Sequence, residues 1–156
     1  AARRDFTFNA IYVAADGSAL DPYTGQNDLA VGRVAFIGDP LTRLREDPLR
    51  WLRFWRFCAR YGLAGYTPEL HKVLDVAAPA LKNLARHRVA GEWQKLQAGP
   101  HAAEVLKTLR QATGIPCTSA PPTLASVQKC NPVLTVPVPA TTEPAHPTEH
   151  SAMRDG

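Results

Sequence analysis

Hydrophobic and polar positions follow two different patterns along this chain, strand-like near the start and helical after residue 40. Residues 10–14 and 19–20 flank an Asp-Gly-Ser turn, which predicts a short β-hairpin. Residues 21–29 fit neither period and predict a loop. Residues 33–37 are apolar again and predict a last strand or extended segment, which a Gly-Asp-Pro sequence ends.

The helical pattern then predicts four or five short helices. Asp47 and Thr67 each precede a proline, which suits an N-cap followed by a first helical position, and Gly62 and Gly114 suit helix ends. Three groups of side chains are expected to face the core: Leu70, Val73, Leu74 and Val76; Val89, Trp93 and Leu96, with Glu92 and Lys95 outside; and Ala102, Val105, Leu106, Leu109 and Ala112.

The stretch from residue 43 to residue 60 combines an apolar surface with a row of arginines. At 3.6 residues per turn, Arg50, Arg53, Arg56 and Arg60 share one sector of a helix, and Asp47 lies one turn before Arg50. Much of the remaining circumference is apolar: Leu49, Leu52, Phe54, Trp55, Phe57 and Cys58. The pattern predicts a core helix with a cationic stripe, which is either a solvated basic face or a binding surface.

The composition changes beyond residue 115, where eight of the fourteen prolines lie among Ser, Thr and Ala with few charges. Such a segment buries too little apolar surface to offset the entropy of ordering it. We therefore expect a disordered Pro-rich tail over residues 115–156, which is also compatible with a shifted reading frame or an unrelated extension. Residues 1–40 are expected to form a β-containing unit and residues 41–114 an all-α unit, so the fold class is α+β.

Charge and composition narrow the function classes. Residues 1–60 carry nine Lys/Arg against seven Asp/Glu and residues 61–114 carry seven against four, so a polyanionic partner is plausible. No apolar run approaches the length of a membrane span, and no leader segment is seen. Three widely spaced cysteines favour reduced thiols, and five scattered histidines match no zinc pattern. We expect a cytoplasmic protein without membrane contact, and a piece of a longer chain.

A cluster of polar groups opens the chain in the sequence RRDFTFNA, residues 3–10. Arginine offers a planar fork to phosphate oxygens, while a carboxylate accepts from a sugar hydroxyl. The cluster could therefore hold a ribose and phosphates, although a charged surface turn would carry the same residues.

Three motifs in fixed order resemble one known family. Residues 3–10, residues 21–29 (DPYTGQNDL) and residues 46–53 (EDPLRWLR), with FIGDP between the last two, closely resemble successive motifs of bacterial-type (class II) tRNA nucleotidyltransferases. These are the CCA-adding enzymes and the related bacterial poly(A) polymerases. Residues 86–114 are similar, more loosely, to the family's neck and body helices. The resemblance implies the C-terminal part of a nucleotidyltransferase head (1–40) followed by a helical neck and body (41–114).

The resemblance also implies roles for individual residues. The first motif contacts the ribose of the nucleotide, which falls here to Arg4, Asp5 and Asn9. The second is a flexible element that couples head motion to catalysis, matched by Asp21, Gly25 and Asp28, although Thr24 stands where the family usually has a further glycine. The third selects the incoming base and falls on Glu46, Asp47, Arg50 and Arg53, while Arg56 and Arg60 would extend the positive stripe toward triphosphate or RNA.

Base selection by an acid and an arginine has a simple physical reason. Cytosine and adenine each present an amino donor beside an unprotonated ring nitrogen, whereas uracil and guanine present a carbonyl beside a ring N–H. Asp47 can accept from the amino group while Arg50 donates to the ring nitrogen, since the two are three residues apart on a helix. A mismatched contact costs about 1–3 kcal/mol, a factor of roughly ten to a hundred.

Family members hold two Mg²⁺ ions with carboxylates from a Gly-Ser and Asp-x-Asp segment upstream of the first motif. No Asp-x-Asp occurs in this sequence. We therefore expect no metal ligand and no catalytic residue here, and no activity of the chain in isolation. The partners implied are the tRNA 3′ end, the substrates CTP and ATP, and the missing N-terminal head segment.

Other function classes stay open at this point. The motifs do not separate a CCA-adding enzyme from a poly(A) polymerase. A non-catalytic RNA-binding helical module would carry the same basic helices. A structural adaptor would bind no nucleotide, and stabilisation by CTP would exclude it.

Overall fold

The computed structural model describes the backbone of residues 1–113 and the side chains as far as residue 111. The predicted tail over residues 115–156, the helix end at Gly114 and the inward side chain of Ala112 lie outside this part. The fold is α+β, as predicted. In chain order the elements are a 3₁₀ helix (Thr7–Ala10), β1 (Tyr12–Val13), β2 (Ala19–Leu20), α1 (Gly25–Ala30), α2 (Pro40–Glu46), α3 (Leu49–Tyr61), α4 (Pro68–Ala77), a second 3₁₀ helix (Ala78–Asn83), α5 (Arg86–Gln97) and α6 (Ala102–Thr113).

The predicted hairpin is confirmed. Strands β1 and β2 pair antiparallel, with Tyr12 opposite Leu20. In the turn the Asp16 carboxylate accepts hydrogen bonds from the Ser18 amide at 2.9 Å and the Ser18 hydroxyl at 2.6 Å. Gly17 has a φ of 84°, which glycine adopts without steric cost.

The loop predicted over residues 21–29 is wrong in its second half, because α1 begins at Gly25. The Asp21 carboxylate accepts from the backbone N–H groups of Gly25 and Gln26, each at 2.8 Å. These bonds satisfy donors that a helix start leaves without an intrahelical partner. The helix is only six residues long, too short for its period to stand out in the sequence. The preceding 3₁₀ helix over Thr7–Ala10 was not predicted either.

Residues 33–37 form an extended segment rather than a regular strand. A single antiparallel bridge joins Phe36 to Phe6. The Thr7 amide donates to the Ala35 carbonyl at 3.1 Å, and the Ile37 amide donates to the Asp5 carbonyl at 3.0 Å. The bridge fixes the N-terminal segment, including Asp5, against the body of the molecule.

Helix α3 is the centre of the fold. Its buried side chains include Trp51, Leu52, Phe54 and Trp55. One side meets an aromatic cluster built from Phe6, Phe8, Phe36 and rings of α3 itself, and α5 and α6 pack against the helix as well. Burial of this much apolar surface is the main stabilising contribution to the fold.

The end of α3 follows its predicted signal, whereas its start lies one residue later than predicted, because α3 begins at Leu49 and Pro48 takes the N-cap position. The Asp47 carboxylate still accepts from the Leu49 amide at 3.1 Å and so caps the first N–H of the helix. Asp47 also separates α3 from α2, so the stretch from residue 43 to residue 60 is two helices. The helix ends before Gly62, whose φ is 117°.

Two burial predictions are wrong. Val76, expected in the core, is 67% exposed because α4 turns Leu74 and Ala77 inward instead. Glu92, expected outside, is only 6% exposed because its carboxylate faces Arg56 of α3. None of the helices within residues 1–113 is both long and apolar enough to cross a bilayer.

Candidate functional site

A cavity of about 250 Å³ opens where the N-terminal segment meets the starts of α3 and α5. We call it the mixed-charge pocket. Its lining residues are Arg3, Arg4, Asp5, Asp47, Leu49, Arg50, Arg53 and Arg88. The fold thus brings together residues from the first and third sequence motifs, which are more than 40 positions apart.

Asp5 is a firmly held side chain of the pocket, and it is 7% exposed. Its Oδ1 accepts from the Asn9 side-chain amide at 2.7 Å and from the Phe6 backbone amide at 3.1 Å, while Oδ2 accepts from Arg53 Nε at 2.6 Å. Burial alone would raise the pKa of Asp5, but the hydrogen bond from Asn9 and the charge of Arg53 outweigh it and hold that pKa below its ordinary value. Asp5 is therefore a fixed anion that orients Arg53, and the hydrogen bond from Asn9 holds the Asp5 carboxylate in place.

Asp5→Asn is expected to remove part of the acid sensitivity of folding. A carboxyl whose pKa is lowered on folding contributes stability above its ordinary pKa, near 3.8, and loses that contribution as the pH falls through the lower folded value. We expect the variant to lose about 1–3 kcal/mol at pH 7 and to decline less steeply than wild type below pH 4. Urea unfolding at several pH values between 2.5 and 7 measures both effects.

The matched control for this prediction is Glu104→Gln, at an exposed position of α6. Surface substitutions of this kind change stability by less than about 0.5 kcal/mol. An Asp5→Asn variant with the acid transition of wild type would contradict the assignment.

Glu46 does not line the pocket but holds Arg50, which does. Arg50 Nη1 donates to Glu46 Oε2 at 2.7 Å and to the Arg43 carbonyl at 3.0 Å. Arg43 donates to the same carboxylate at 2.9 Å. The hydrogen bond from Arg50, followed by that from Arg43, lowers the pKa of Glu46. Glu46 is thus placed as a support of Arg50, and its part in base selection stays a prediction.

Asp47 faces the pocket with one carboxylate oxygen while the other caps α3. Oδ1 accepts from the Leu49 amide, and Oδ2 lies 3.6 Å from Arg88 Nη2. Sequence reasoning missed Arg88. Its sequence signal was only a basic residue near a helix start, and nothing in the pattern of α5 pointed to residue 47.

Arg56 and Arg60 do not reach the mixed-charge pocket. They line a larger cavity of about 410 Å³ on the second half of α3, which we call the basic cleft. Its lining residues are Arg56, Phe57, Arg60, Tyr61, Lys95, Ala98 and Gly99. The predicted arginine stripe therefore serves two cavities, with Arg50 and Arg53 at one and Arg56 and Arg60 at the other.

The second sequence motif lies outside both cavities and fastens α1 to the N-terminal segment. Asp28 is 2% exposed and accepts from the Thr7 hydroxyl and from Arg33 Nε, each at 2.6 Å. Gly25 lies against the backbone of Thr7 and Phe8. A Cβ at residue 25 would lie 2.6 Å from the Thr7 carbonyl oxygen and 2.7 Å from the Phe8 Cα. The motif is thus a packed helix capped by Asp21, and its coupling role stays a prediction.

A metal site requires several oxygen, nitrogen or sulfur donors close together. Within residues 1–113 no three His, Cys, Asp or Glu side chains are grouped so that they could hold a metal ion.

Comparison with known proteins finds one group of enzymes similar to this chain. Residues 1–35 match the family described as the Poly A polymerase head domain. Poly(A) polymerase I of Haemophilus influenzae is 39% identical over 112 residues, which are 71% of this chain and 25% of the relative. The CCA-adding enzyme of Geobacillus thermodenitrificans is 37% identical over 113 residues, which are 72% of this chain and 28% of the relative.

A solved structure resembles the chain as well. The crystal structure of the Bacillus stearothermophilus CCA-adding enzyme in complex with CTP aligns with a TM-score of 0.63 at 33% identity. The alignment covers 70% of this chain and 28% of that one. This chain thus spans about a quarter of the length of the curated relatives it matches.

Proposed function

We propose that this chain, which belongs to the family of CCA-adding enzymes and poly(A) polymerases, is the nucleotide-selecting part of a tRNA nucleotidyltransferase that uses CTP and ATP. One observation carries the proposal: Asp47 and Arg50 line the same pocket as Arg4 and Asp5. An acceptor and a donor that share a pocket can pair with one base edge at the same time. The reaction proposed for the whole enzyme is addition of C and A to the tRNA 3′ end.

Both groups of the proposed pair are restrained by neighbouring residues. Asp47 Oδ1 is occupied by the helix cap, so Oδ2 is the acceptor for the amino group of C or A. Arg50 Nη1 is tied by Glu46 and the Arg43 carbonyl, and Nη2 donates to the Arg3 carbonyl at 3.5 Å, so the proposed donor to the ring nitrogen is the second N–H of Nη2. Because both groups are fixed before a base arrives, little side-chain entropy is lost on binding.

The sugar is proposed to meet the first motif. Arg4 is exposed beside the pocket and can donate to ribose hydroxyls. Asp5 already accepts from Phe6, Asn9 and Arg53, so its main proposed part is to position Arg53. A volume of about 250 Å³ lies below the range that encloses a drug-sized ligand, so the pocket would hold the base and part of the ribose. The triphosphate would extend outward.

A poly(A) polymerase is the less favoured alternative. The acid and arginine pair fits cytosine as well as adenine, so nothing in the pocket restricts it to ATP. Since residues 1–113 hold no group of three His, Cys, Asp or Glu side chains that could bind a metal ion, we propose that the chain alone adds no nucleotide. A primer-addition assay with labelled CTP and ATP would overturn that part of the proposal if incorporation were found.

Thermal unfolding with each of the four nucleoside triphosphates tests the proposed selection directly. A ligand at one hundred times its Kd stabilises the folded state by about 2.7 kcal/mol. We expect CTP and ATP to raise Tm, and UTP and GTP to need roughly ten to a hundred times higher concentration for the same rise. EDTA in every sample keeps metal bridging out of the comparison. Equal stabilisation by all four nucleotides, or none by any, would contradict the proposal.

A further inference from the structure

Arg43 of α2 lies outside the mixed-charge pocket, yet its guanidinium is held from two directions. Its Nε donates to the Ile37 carbonyl at 2.9 Å, and its Nη1 donates to Glu46 Oε2 at 2.9 Å and to Oε1 at 3.3 Å. Because a guanidinium is planar, bonds in two directions fix its plane. The Arg43 side chain is 20% exposed, whereas Arg45 on the same helix is exposed. Arg43 is therefore an anchored cation.

Helix α2 gives Arg43 a rigid base. The Asp39 carboxylate accepts from the Thr42 amide at 2.8 Å and from the Thr42 hydroxyl at 2.7 Å, which caps the start of the helix. The Arg43 amide donates to the Asp39 carbonyl at 3.1 Å. Leu44 is 1% exposed and belongs to the hydrophobic core. A helix that is capped at its start and packed through Leu44 has little freedom to turn, so the Arg43 guanidinium keeps its direction.

Two acceptors of this network meet one nitrogen of Arg50. Arg50 Nη1 donates to Glu46 Oε2 at 2.7 Å and to the Arg43 main-chain carbonyl at 3.0 Å. Both N–H groups of Nη1 are thereby used, and since the guanidinium is planar, they also set the direction of Nη2. Nη2 is the nitrogen from which a base would receive its hydrogen bond in the proposed function.

The pair of Glu46 and Arg50 would not hold this geometry by itself. The Glu46 side chain is 45% exposed, and an exposed ion pair gains little over the entropy that ordering two long side chains costs. Arg43 changes this balance, because the Ile37 carbonyl already fixes it. It can order the Glu46 carboxylate before Arg50 binds there, so that a single further side chain remains to be ordered.

We infer that Arg43 is a positioning residue for base selection: it orders the Glu46 carboxylate and thereby holds the Arg50 guanidinium with Nη2 toward the base. The inference rests on the proposed function, in which Arg50 reads the ring nitrogen. Arg43 itself lies outside the pocket and touches no nucleotide. Lysine at residue 43 keeps the charge but lacks the planar fork, so we expect it not to replace arginine.

NMR of the arginine guanidinium groups tests the positioning without any nucleotide. An Nη nitrogen held by two hydrogen bonds rotates slowly about its bond to Cζ, and Arg50→Lys identifies the Arg50 signals by their loss. We expect this rotation to be about tenfold faster in Arg43→Met and in Arg43→Lys than in wild type. The matched control is Arg45→Met, at an exposed position of the same helix, with a change of less than about twofold. A wild-type rate in either Arg43 variant would overturn the inference.

Titration with nucleotides tests whether this positioning matters for base selection. In thermal unfolding with CTP, ATP, UTP and GTP, we expect Arg43→Met to reduce the preference for CTP over UTP by a factor of about three to ten, and Arg45→Met to keep it. A merely structural role of Arg43 would lower the Tm of the free protein and leave the ratios of the four affinities unchanged, and that result would contradict the inference.

A double-mutant cycle with Glu46→Ala tests the path of the effect. Because Arg43 is inferred to act through Glu46, adding Arg43→Met to Glu46→Ala should change the preference for CTP over UTP by less than about twofold. Fully additive losses would show that Arg43 acts independently of Glu46. Urea unfolding confirms that each variant is folded, and Arg43→Lys carries both measurements where Arg43→Met is not.

The two measurements separate this inference from the proposed function. If wild type prefers CTP and ATP while Arg43→Met keeps both that preference and the slow rotation of Arg50, the inference is wrong and the proposed function stands. If no nucleotide stabilises wild type while Arg43→Met, unlike Arg45→Met, frees Arg50, the support of Arg50 by Arg43 stands and the proposed function is wrong.

Discussion

Asp47→Asn is expected to shift the base preference of the mixed-charge pocket without loss of stability. Asparagine caps a helix as well as aspartate does, so its side-chain oxygen can keep the bond to the Leu49 amide. The amide nitrogen then takes the place of Oδ2 and turns an acceptor into a donor. A donor there opposes the amino group of C and A and suits the carbonyl of U and G.

The expected size is large because two effects add. CTP and ATP lose a charge-assisted hydrogen bond and meet a mismatched donor, which costs about 1–3 kcal/mol or a ten- to hundredfold loss of affinity. UTP and GTP gain a partner at the same position. Titration calorimetry or thermal shifts with all four nucleotides would measure the change in preference.

A matched control for Asp47→Asn is Asp39→Asn. Asp39 caps α2 by accepting from the Thr42 amide at 2.8 Å, but it lies outside the mixed-charge pocket. The control should keep wild-type stability and wild-type nucleotide preference. An Asp47→Asn variant that still prefers CTP and ATP by the wild-type margin would show that residue 47 does not read the base.

Local signals predicted the elements that are stabilised by their own neighbours in the chain. The proline-marked starts of α3 and α4, the end of α3 before Gly62 and the hairpin turn at Gly17 all depend on bonds or backbone angles within four residues. Such features can be read from one sequence because the interacting groups are adjacent in it.

Helix α1 could not be predicted in the same way. Its start is stabilised by a carboxylate four positions earlier, at Asp21, and Thr24 between them takes a left-handed φ of 56°. A residue other than glycine with a positive φ is uncommon, so the backbone preference of threonine argues against this conformation. The contacts of Asp28 and Gly25 with the N-terminal segment compensate for this conformation.

Contacts between distant parts of the chain were also beyond prediction. Glu92 was expected outside because its neighbours give α5 an amphipathic pattern, but α3 places Arg56 opposite it. Arg88 of α5 lies beside Asp47 because α5 packs against α3. The family motifs predicted which residues gather at the N-terminal half of α3, whereas the partition of its arginines between two cavities required the packing of α5 and α6.

Gly25→Ala is expected to destabilise the fold by about 1–3 kcal/mol, with the upper end favoured because its neighbours are backbone atoms. A Cβ at residue 25 would lie 2.6 Å from the Thr7 carbonyl oxygen and 2.7 Å from the Phe8 Cα. No side-chain rotation can relieve this contact, so α1 must move away from the 3₁₀ helix. Urea unfolding monitored by tryptophan fluorescence measures the loss.

Gly91→Ala provides the opposite case for comparison. Gly91 lies inside α5, and a Cβ there would meet nothing within 4 Å. Alanine at such a position lowers the entropy of the unfolded chain and favours the helix, so a gain of about 0.5–1 kcal/mol is expected. Since Thr7 is two residues from Asp5, we also expect Gly25→Ala, unlike Gly91→Ala, to reduce stabilisation by CTP. Equal stabilisation of the two variants by CTP would show that the close packing of α1 does not hold the N-terminal side of the pocket.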